Sequence, residues 1–508
     1  MTILKKLSEQ SPASAPKTPT HFDVLIVGAG ISGIGTAWHL ARFTPGKSFA
    51  ILEGRAAIGG TWDLFRYPGI RSDSDMYTLG YSFEPWTEAK AIADGPSILD
   101  YVNRVADKHD LRRHIRFNSR VRRADFDSAS ATWTVEVERS DTGATETFTA
   151  NWLHMCSGYY DYKQAYLPEF AGRDRFAGQF FHAQFWPEGL DYSGKKIVVV
   201  GSGATAVTIV PVMAQTAAQV VMLQRSPTYM VSRPAVDKVA NGLRRLLGAK
   251  ASYGLVRWRN VLMQQLFFQL ARRRPETMKK LIRKGLVKEL PADYAIDTHF
   301  KPSYNPWDQR VCLVPDADLF AGIRSGKVEV VTDTIERIEE HGVVLASGRK
   351  LQADIIVAAT GLKLLLLGDV AVSVDGKRAD PSKSMTYKGM MFSDLPNLSY
   401  SFGYTNASWT LKADLTSGYL CRLLNHMASR DYRIAVAERQ ADVGEMPFLD
   451  FSSGYVQRAA GVLPRQGDRA PWKLHQNYAL DMASLKLGKV EDGVIQFRGC
   501  RDGREKAA

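Results

Sequence analysis

Two short glycine-rich stretches carry the spacing with the clearest chemical meaning. In "VLIVGAGISGIGTAWHL", the apolar run Val24–Val27 leads into Gly28, Gly30 and Gly33, and a helical pattern follows. The first glycine of such a turn makes the tight bend. The second lets the backbone approach a pyrophosphate, and the third lets helix and strand pack closely. The helix start, where Ser32 lies, offers free N–H groups and a positive dipole end to phosphate. The next apolar run, "SFAIL", ends at Glu53, 20 residues after Gly33. An acid at that place accepts hydrogen bonds from a ribose 2′-hydroxyl. Strand, turn, helix, strand and acid stand in the order an adenine dinucleotide requires.

The pattern recurs. Ile197–Val200 leads into Gly201-Ser202-Gly203-Ala204-Thr205-Ala206, with alanine small enough for the third position. The following run, "QVVML", ends in Gln224-Arg225-Ser226 instead of an acid. A carboxylate there would repel a 2′-phosphate, whereas a guanidinium pairs with it in fork geometry. A solvated charge at a strand end is the plain alternative for Arg225. FAD at the first turn and NADPH at the second is the economical assignment.

The elements that must position these turns follow a doubled plan. Leu153–Tyr160, "LHMCSGYY", and Asp354–Lys363, "DIIVAATGLK", are each an apolar run ending in a small-residue turn that can close a nucleotide lobe. An α/β fold is expected, with two interleaved Rossmann-like domains. With 45% hydrophobic and 23% charged residues, the 508-residue chain is globular and too long for one core. Residues 1–20 read as a disordered lead without the apolar centre of a signal peptide. No apolar run approaches the roughly 18 residues that span a bilayer. Cys156, Cys312, Cys421 and Cys500 form no Cys-x-x-Cys pair and no metal-ligand spacing, which suits a reducing cytoplasm and no metal site.

The net charge of +13 is unevenly placed: from Arg233 to Leu290, 15 lysines and arginines stand against three acids. No nucleic-acid motif accompanies them. Tyr253–Leu286 mixes apolar helical spacing with these cations. A solvated face is the plain reading, and peripheral contact with anionic lipid is the sharper one.

"FAGQFFHAQFWPEG" supplies a further motif. Phe176, Gly178, His182, Trp186 and Pro187 resemble the fingerprint F-x-G-x-x-x-H-x-x-x-W-[PD] of type I Baeyer–Villiger monooxygenases. "GGTWDLFRYPGIRSD", Gly59–Asp73, resembles that family's G-G-T-W…Y-P-G…D segment, and the two glycine turns flank the fingerprint as they do there. Tyr304–Phe320 and Phe402–Leu415 are similar to the subgroup of the mycobacterial ethionamide-activating enzyme, which acts on lipophilic ketones and on thioether or thioamide sulfur.

The resemblance implies an NADPH- and O₂-dependent enzyme that turns ketones into esters or lactones through a C4a-peroxyflavin. It also implies roles. Arg310 is the cation that steadies the peroxide, and Asp73 orients it by a hydrogen bond. The plain alternatives are a salt bridge of Arg310 to Asp308 or Asp316, and a helix-capping role for Asp73. Thr61, Trp62, Asp63, Leu64, Arg71 and Ser72 contact cofactor, Val121 meets adenine through its backbone, and Trp409 lines the substrate pocket or packs in the core. His182 orders the linker between the lobes, or packs with its ring N–H satisfied. Many relatives have lysine where Gln309 stands, which places more of the phosphate binding on Arg225. Expected boundaries are 21–160 and 376–508 for the FAD domain, 161–232 and 301–375 for the NADP domain, and 233–300 for a basic helical insertion. The nearest rival is a flavin-containing enzyme that oxidises nitrogen or sulfur, which Trp186 and Arg310 oppose. A disulfide reductase lacks its cysteine pair. A non-catalytic redox sensor has no use for the second turn or for Arg310.

Overall fold

The computed structural model describes residues 19–449 and 451–499. Of the lead expected over 1–20, all but Pro19 and Thr20 lies outside the described residues, and Thr20 already opens the first strand. Cys500 lies outside them too.

Thr20–Val27 is the central strand of the first lobe. Its apolar end is fully enclosed because it pairs in parallel on both sides, with Phe49–Leu52 and with Thr145–Met155. The sheet continues through Thr132–Arg139 and Ser119–Asp127, both antiparallel. The second lobe is a five-stranded parallel sheet in the order Val328–Thr332, Gln219–Gln224, Lys196–Val200, Ile355–Ala358, Gln179–His182. Each lobe has its own core, one around Val24, Ile26 and Leu40, the other around Ile197, Val199 and Val220. Tyr160–Ala165 and Leu362–Leu364 pair antiparallel as a two-stranded link between the lobes.

The chain therefore returns to the first lobe earlier than the boundary at 375: Ala371–Val374 pairs in parallel with Arg123–Phe126 of the first sheet. Local composition changes little there, and only the long-range pairing shows the crossing. Within 233–300 lie the helices Lys238–Arg273, interrupted at Gly248 (φ +75°), Pro275–Glu289 and Ile296–His299. Among the described residues no helix is long and apolar enough to cross a membrane.

Candidate functional site

The C-terminal ends of the parallel strands deliver both glycine turns. Gly28 has φ +106°, and a Cβ there would stand 2.6 Å from the Cys156 carbonyl oxygen, so the turn is pressed against the close of the neighbouring strand. Gly201 repeats the arrangement against the Ala359 carbonyl at φ +145°. A Cβ on Gly33 would overlap the Gly28 carbonyl, which is the close helix–strand packing expected of the third glycine. At the third position of the second turn, Ala206 is fully buried and its methyl fits.

A cavity of about 550 Å³ runs from the first turn toward the second lobe. Gly28, Gly30, Ser32 and Glu53 line one end with Val121, and Thr61, Trp62 and Leu64 line its flank. Arg71, Ser72, Asp73, His182, Ala204, Thr205 and Arg310 line the other end. The Glu53 carboxylate accepts the Ala29 N–H (2.6 Å) and the Arg55 N–H (2.9 Å). Burial pushes its pKa up, and these two bonds oppose the rise. Trp409 lines this cavity: its indole N–H donates to Ser32 Oγ (2.7 Å), and its ring stacks on Tyr159 (5.2 Å, 9°).

Other residues stand elsewhere. Asp63 does not line the cavity; its buried carboxylate is closed by Arg55 and by Arg66 (2.6 Å), so it fastens the loop. Trp186 packs edge-to-face on Phe181 (5.1 Å) and does not line the cavity. It belongs to the packing of the second lobe. Gly201, Ser202, Gly203, Ala206, Arg225 and Ser226 lie beyond this cavity, on the more open second turn. Gln224 turns inward, donating to the His299 carbonyl (2.8 Å) and Thr332 Oγ1 (2.9 Å), so that Arg225 and Ser226 face outward.

His182 is satisfied at both ring nitrogens. Nδ1 accepts the Gln184 N–H (3.1 Å), so Nε2 carries the proton and donates to the Gly361 carbonyl (3.1 Å). Burial lowers its pKa, which keeps the ring neutral. The histidine thus ties the edge strand to the turn that closes the second lobe, as a packed ring with its N–H satisfied.

A second cavity, of about 1150 Å³, lies between the helical insertion and the second lobe, and it shares Asp73, Ser74, Arg310 and Ala407 with the first. Asp308 is paired with Arg272 (2.8 Å) and Asp316 accepts the Ala235 N–H (2.9 Å), so neither takes Arg310, and no carboxylate among the described residues forms an ion pair with it. Burial opposes the charge on Arg310, but Tyr159, Tyr455 and Asp73 outweigh this and raise its pKa. Asp75 caps the helix Met76–Leu79 through Thr78 N–H (3.1 Å), which leaves Asp73 free of that task. The expected hydrogen bond from Arg310 to Asp73 is absent; the two act on each other through the field alone. Burial pushes the Asp73 carboxyl up, and Arg310 and Arg71 pull it back. Arg71 is held by Asp318.

Two buried polar atoms on the first cavity's wall, Arg71 Nε and Gln184 Oε1, have no hydrogen-bond partner among the described residues. With the glycine cradle and Glu53, they fit a bound polar dinucleotide. Sequence reading missed Tyr159, Tyr160, Tyr455 and Arg458. Tyr159 and Tyr160 directly follow the turn at Cys156–Gly158, and that position was the available signal. Arg458 lies over the Tyr166 ring (3.4 Å to its centroid), beside Gly361. Burial and the like charge of Arg225 lower its pKa against the pull of Tyr166. Its segment carries no motif.

The family model of flavin-binding monooxygenase-like proteins matches residues 90–390, and that of NAD(P)-binding Rossmann-like domains matches 26–93. The FAD-containing monooxygenase EthA of Mycobacterium tuberculosis (strain H37Rv) is 53% identical over 479 residues, 94% of this chain and 98% of that protein. The probable FAD-binding monooxygenase AlmA of Acinetobacter baylyi is 48% identical over 480 residues, 94% and 96% of the two chains. Of solved structures, an oxidised steroid monooxygenase bound to NADP aligns with TM-score 0.70 at 26% identity, covering 83% of this chain and 88% of that one. Cyclohexanone monooxygenase from Rhodococcus sp. Phi1 bound to NADP⁺ shares the fold, with TM-score 0.72 at 20% identity over 95% and 100% of the two chains. With its two dinucleotide lobes and the fingerprint between them, the chain belongs to the flavin-binding monooxygenase family, within the type I Baeyer–Villiger group, as an FAD-containing, NADP-dependent monooxygenase.

Proposed function

We propose that the protein converts lipophilic ketones into esters or lactones, with oxidation of sulfur as a second activity. The observation that supports this reading is Arg310: a permanent cation without an ion-pair partner among the described residues, on the wall common to both cavities. The smaller cavity and the first turn would hold FAD, and the second turn would hold NADPH. When bound and reduced, the flavin supplies oxygen activated from O₂. Gly28, Gly30 and the adjacent helix start receive the pyrophosphate, and Glu53 receives a ribose hydroxyl. Arg225, aided by Arg458, receives the 2′-phosphate, in place of the lysine absent at Gln309. Thr61, Trp62 and Leu64 confine the ring system and exclude water.

Addition of an oxygen nucleophile to a carbonyl builds negative charge, and a fixed guanidinium at that point lowers the barrier. Asp73 sets the local field around Arg310 without neutralising it by contact. The ketone would approach through the larger cavity, whose walls include Met230, Met263, Phe267 and Phe320. An enzyme restricted to nitrogen or sulfur has less need of such a cation.

Arg310→Ala tests the reading. FAD content and fold should be retained, and ester formed per NADPH consumed should fall by about 10²–10³-fold, with hydrogen peroxide released instead. Arg310→Lys should recover only part, because a point charge does not reproduce the planar fork. Ester formation by Arg310→Ala at the wild-type rate and coupling would remove the proposal.

A further inference from the structure

We propose that the helical insertion is a docking surface for anionic bilayers, and that the larger cavity opens at that surface. In the helix beyond Gly248, the side packed on the protein carries Tyr253, Val256, Asn260 and Ala271. The opposite side should be polar in a helix that faces water. Instead it carries Leu255, Trp258, Leu262 and Leu266, exposed by 56%, 43%, 64% and 60%. Their spacing of three, four and four residues places them in one stripe. Single exposed leucines are ordinary, whereas a continuous ridge marks a contact surface.

Charge selects the occupant. Between Arg233 and Leu290 stand 15 lysines and arginines against three acids, which are themselves paired: Asp237 with Arg259, Glu276 with Lys279 (2.7 Å), Glu289 with Arg324 (3.3 Å). Arg257 is buried against Asp414, and Arg272 and Arg283 pair with Asp308 and Asp297 beyond the segment, but Arg245, Lys250, Arg273, Lys280 and Lys284 are exposed. A second copy of this chain would bring two surfaces of the same sign together. Anionic headgroups match the cations while the acyl boundary takes the ridge, as for helices that lie in the membrane interface without crossing it. Met263, Phe267 and Leu281 are exposed and also line the larger cavity, whose inner wall carries Asp73 and Arg310. A lipophilic molecule dissolved in the leaflet would reach the site without crossing water. This last step rests on the function proposed above; docking itself does not.

The experiment is flotation of the full-length flavoprotein with vesicles of phosphatidylcholine alone or of phosphatidylcholine with phosphatidylglycerol. Wild type should float with the anionic vesicles, not with the zwitterionic ones. Leu262→Ser with Leu266→Ser should weaken binding about tenfold or more. Lys280→Glu with Lys284→Glu should weaken it again through charge alone. Both pairs lie away from the cavities, so flavin content and NADPH oxidation with a water-soluble ketone should be unchanged. Wild type left in the aqueous fraction with anionic vesicles, or flotation equal in wild type and both variants, overturns the proposal. So does a dimer in light scattering that the leucine variant reduces to a monomer, because the ridge would then belong to a second copy. Intact flotation with no ester formed would strike the proposed reaction alone.

Discussion

At the first glycine turn, a Cβ on Gly30 would lie 3.6 Å from the Gly60 backbone; at the second, one on Gly203 would meet nothing within 4 Å. The strand beside the first turn ends in Glu53, buried and aimed at its own turn. The strand beside the second ends in Gln224, which turns away, and Arg225, which faces solvent. Below these differences the lobes share a plan: a positive-φ glycine pressed on the close of a neighbouring strand, Cys156 in one and Ala359 in the other. The enclosed turn suits a cofactor that stays through many turnovers. The open one suits a cofactor that arrives, is used and leaves.

The largest expected effect separates the two turns directly. Gly28→Ala forces a side chain into a left-handed conformation against a backbone carbonyl that cannot move aside. It should yield protein without flavin, whereas Gly203→Ala should fold and load flavin normally and raise only the KM for NADPH. The ratio of flavin to protein absorbance checks both, and normal loading of Gly28→Ala would break the comparison. The next effect is acid sensitivity seated in the first lobe. His154 is fully buried between Ser399 and Ser401, and burial lowers its pKa from 6.5 to about 3. Below pH 6.5 the unfolded chain takes a proton that the folded one refuses. Stability is therefore full above that pH and falls toward pH 3, by on the order of 4 kcal/mol. His154→Gln should flatten this slope in urea titrations at several pH values, and an unchanged slope would assign acid lability elsewhere.

Arg225→Ala should raise the KM for NADPH, not NADH, by roughly 10–100-fold, the loss of a charge-assisted contact of about 1.5–3 kcal/mol. Equal effects on both coenzymes would show that the open turn reads no phosphate. Arg458→Ala should give the smallest change, roughly two- to fivefold in the same constant, since its charge is exposed. In the double variant the two losses should not add if both cations grip one phosphate.

The sequence by itself determined what depends on local spacing. Three small residues after an apolar run dictate a turn and a helix start. The residue at the next strand end, Glu53 in one lobe and Arg225 in the other, is placed by the same spacing. The charge balance and apolar helical spacing within 233–300 point to a basic helical segment, but not to which side of it is left uncovered. Tertiary structure decided which side chains meet. Asp63 and Asp73 lie ten residues apart in one motif, yet Arg55 and Arg66 close the first, while Asp75 takes the cap and leaves the second free. Tyr159, Arg310 and Tyr455 converge from three distant stretches of chain. The return to the first lobe follows from strand pairing across some 250 residues, between Ala371–Val374 and Arg123–Phe126. Backbone conformation is set by neighbours along the chain, and spacing records it. The pairing of a buried charge is set by neighbours in space, which only the packed fold brings together.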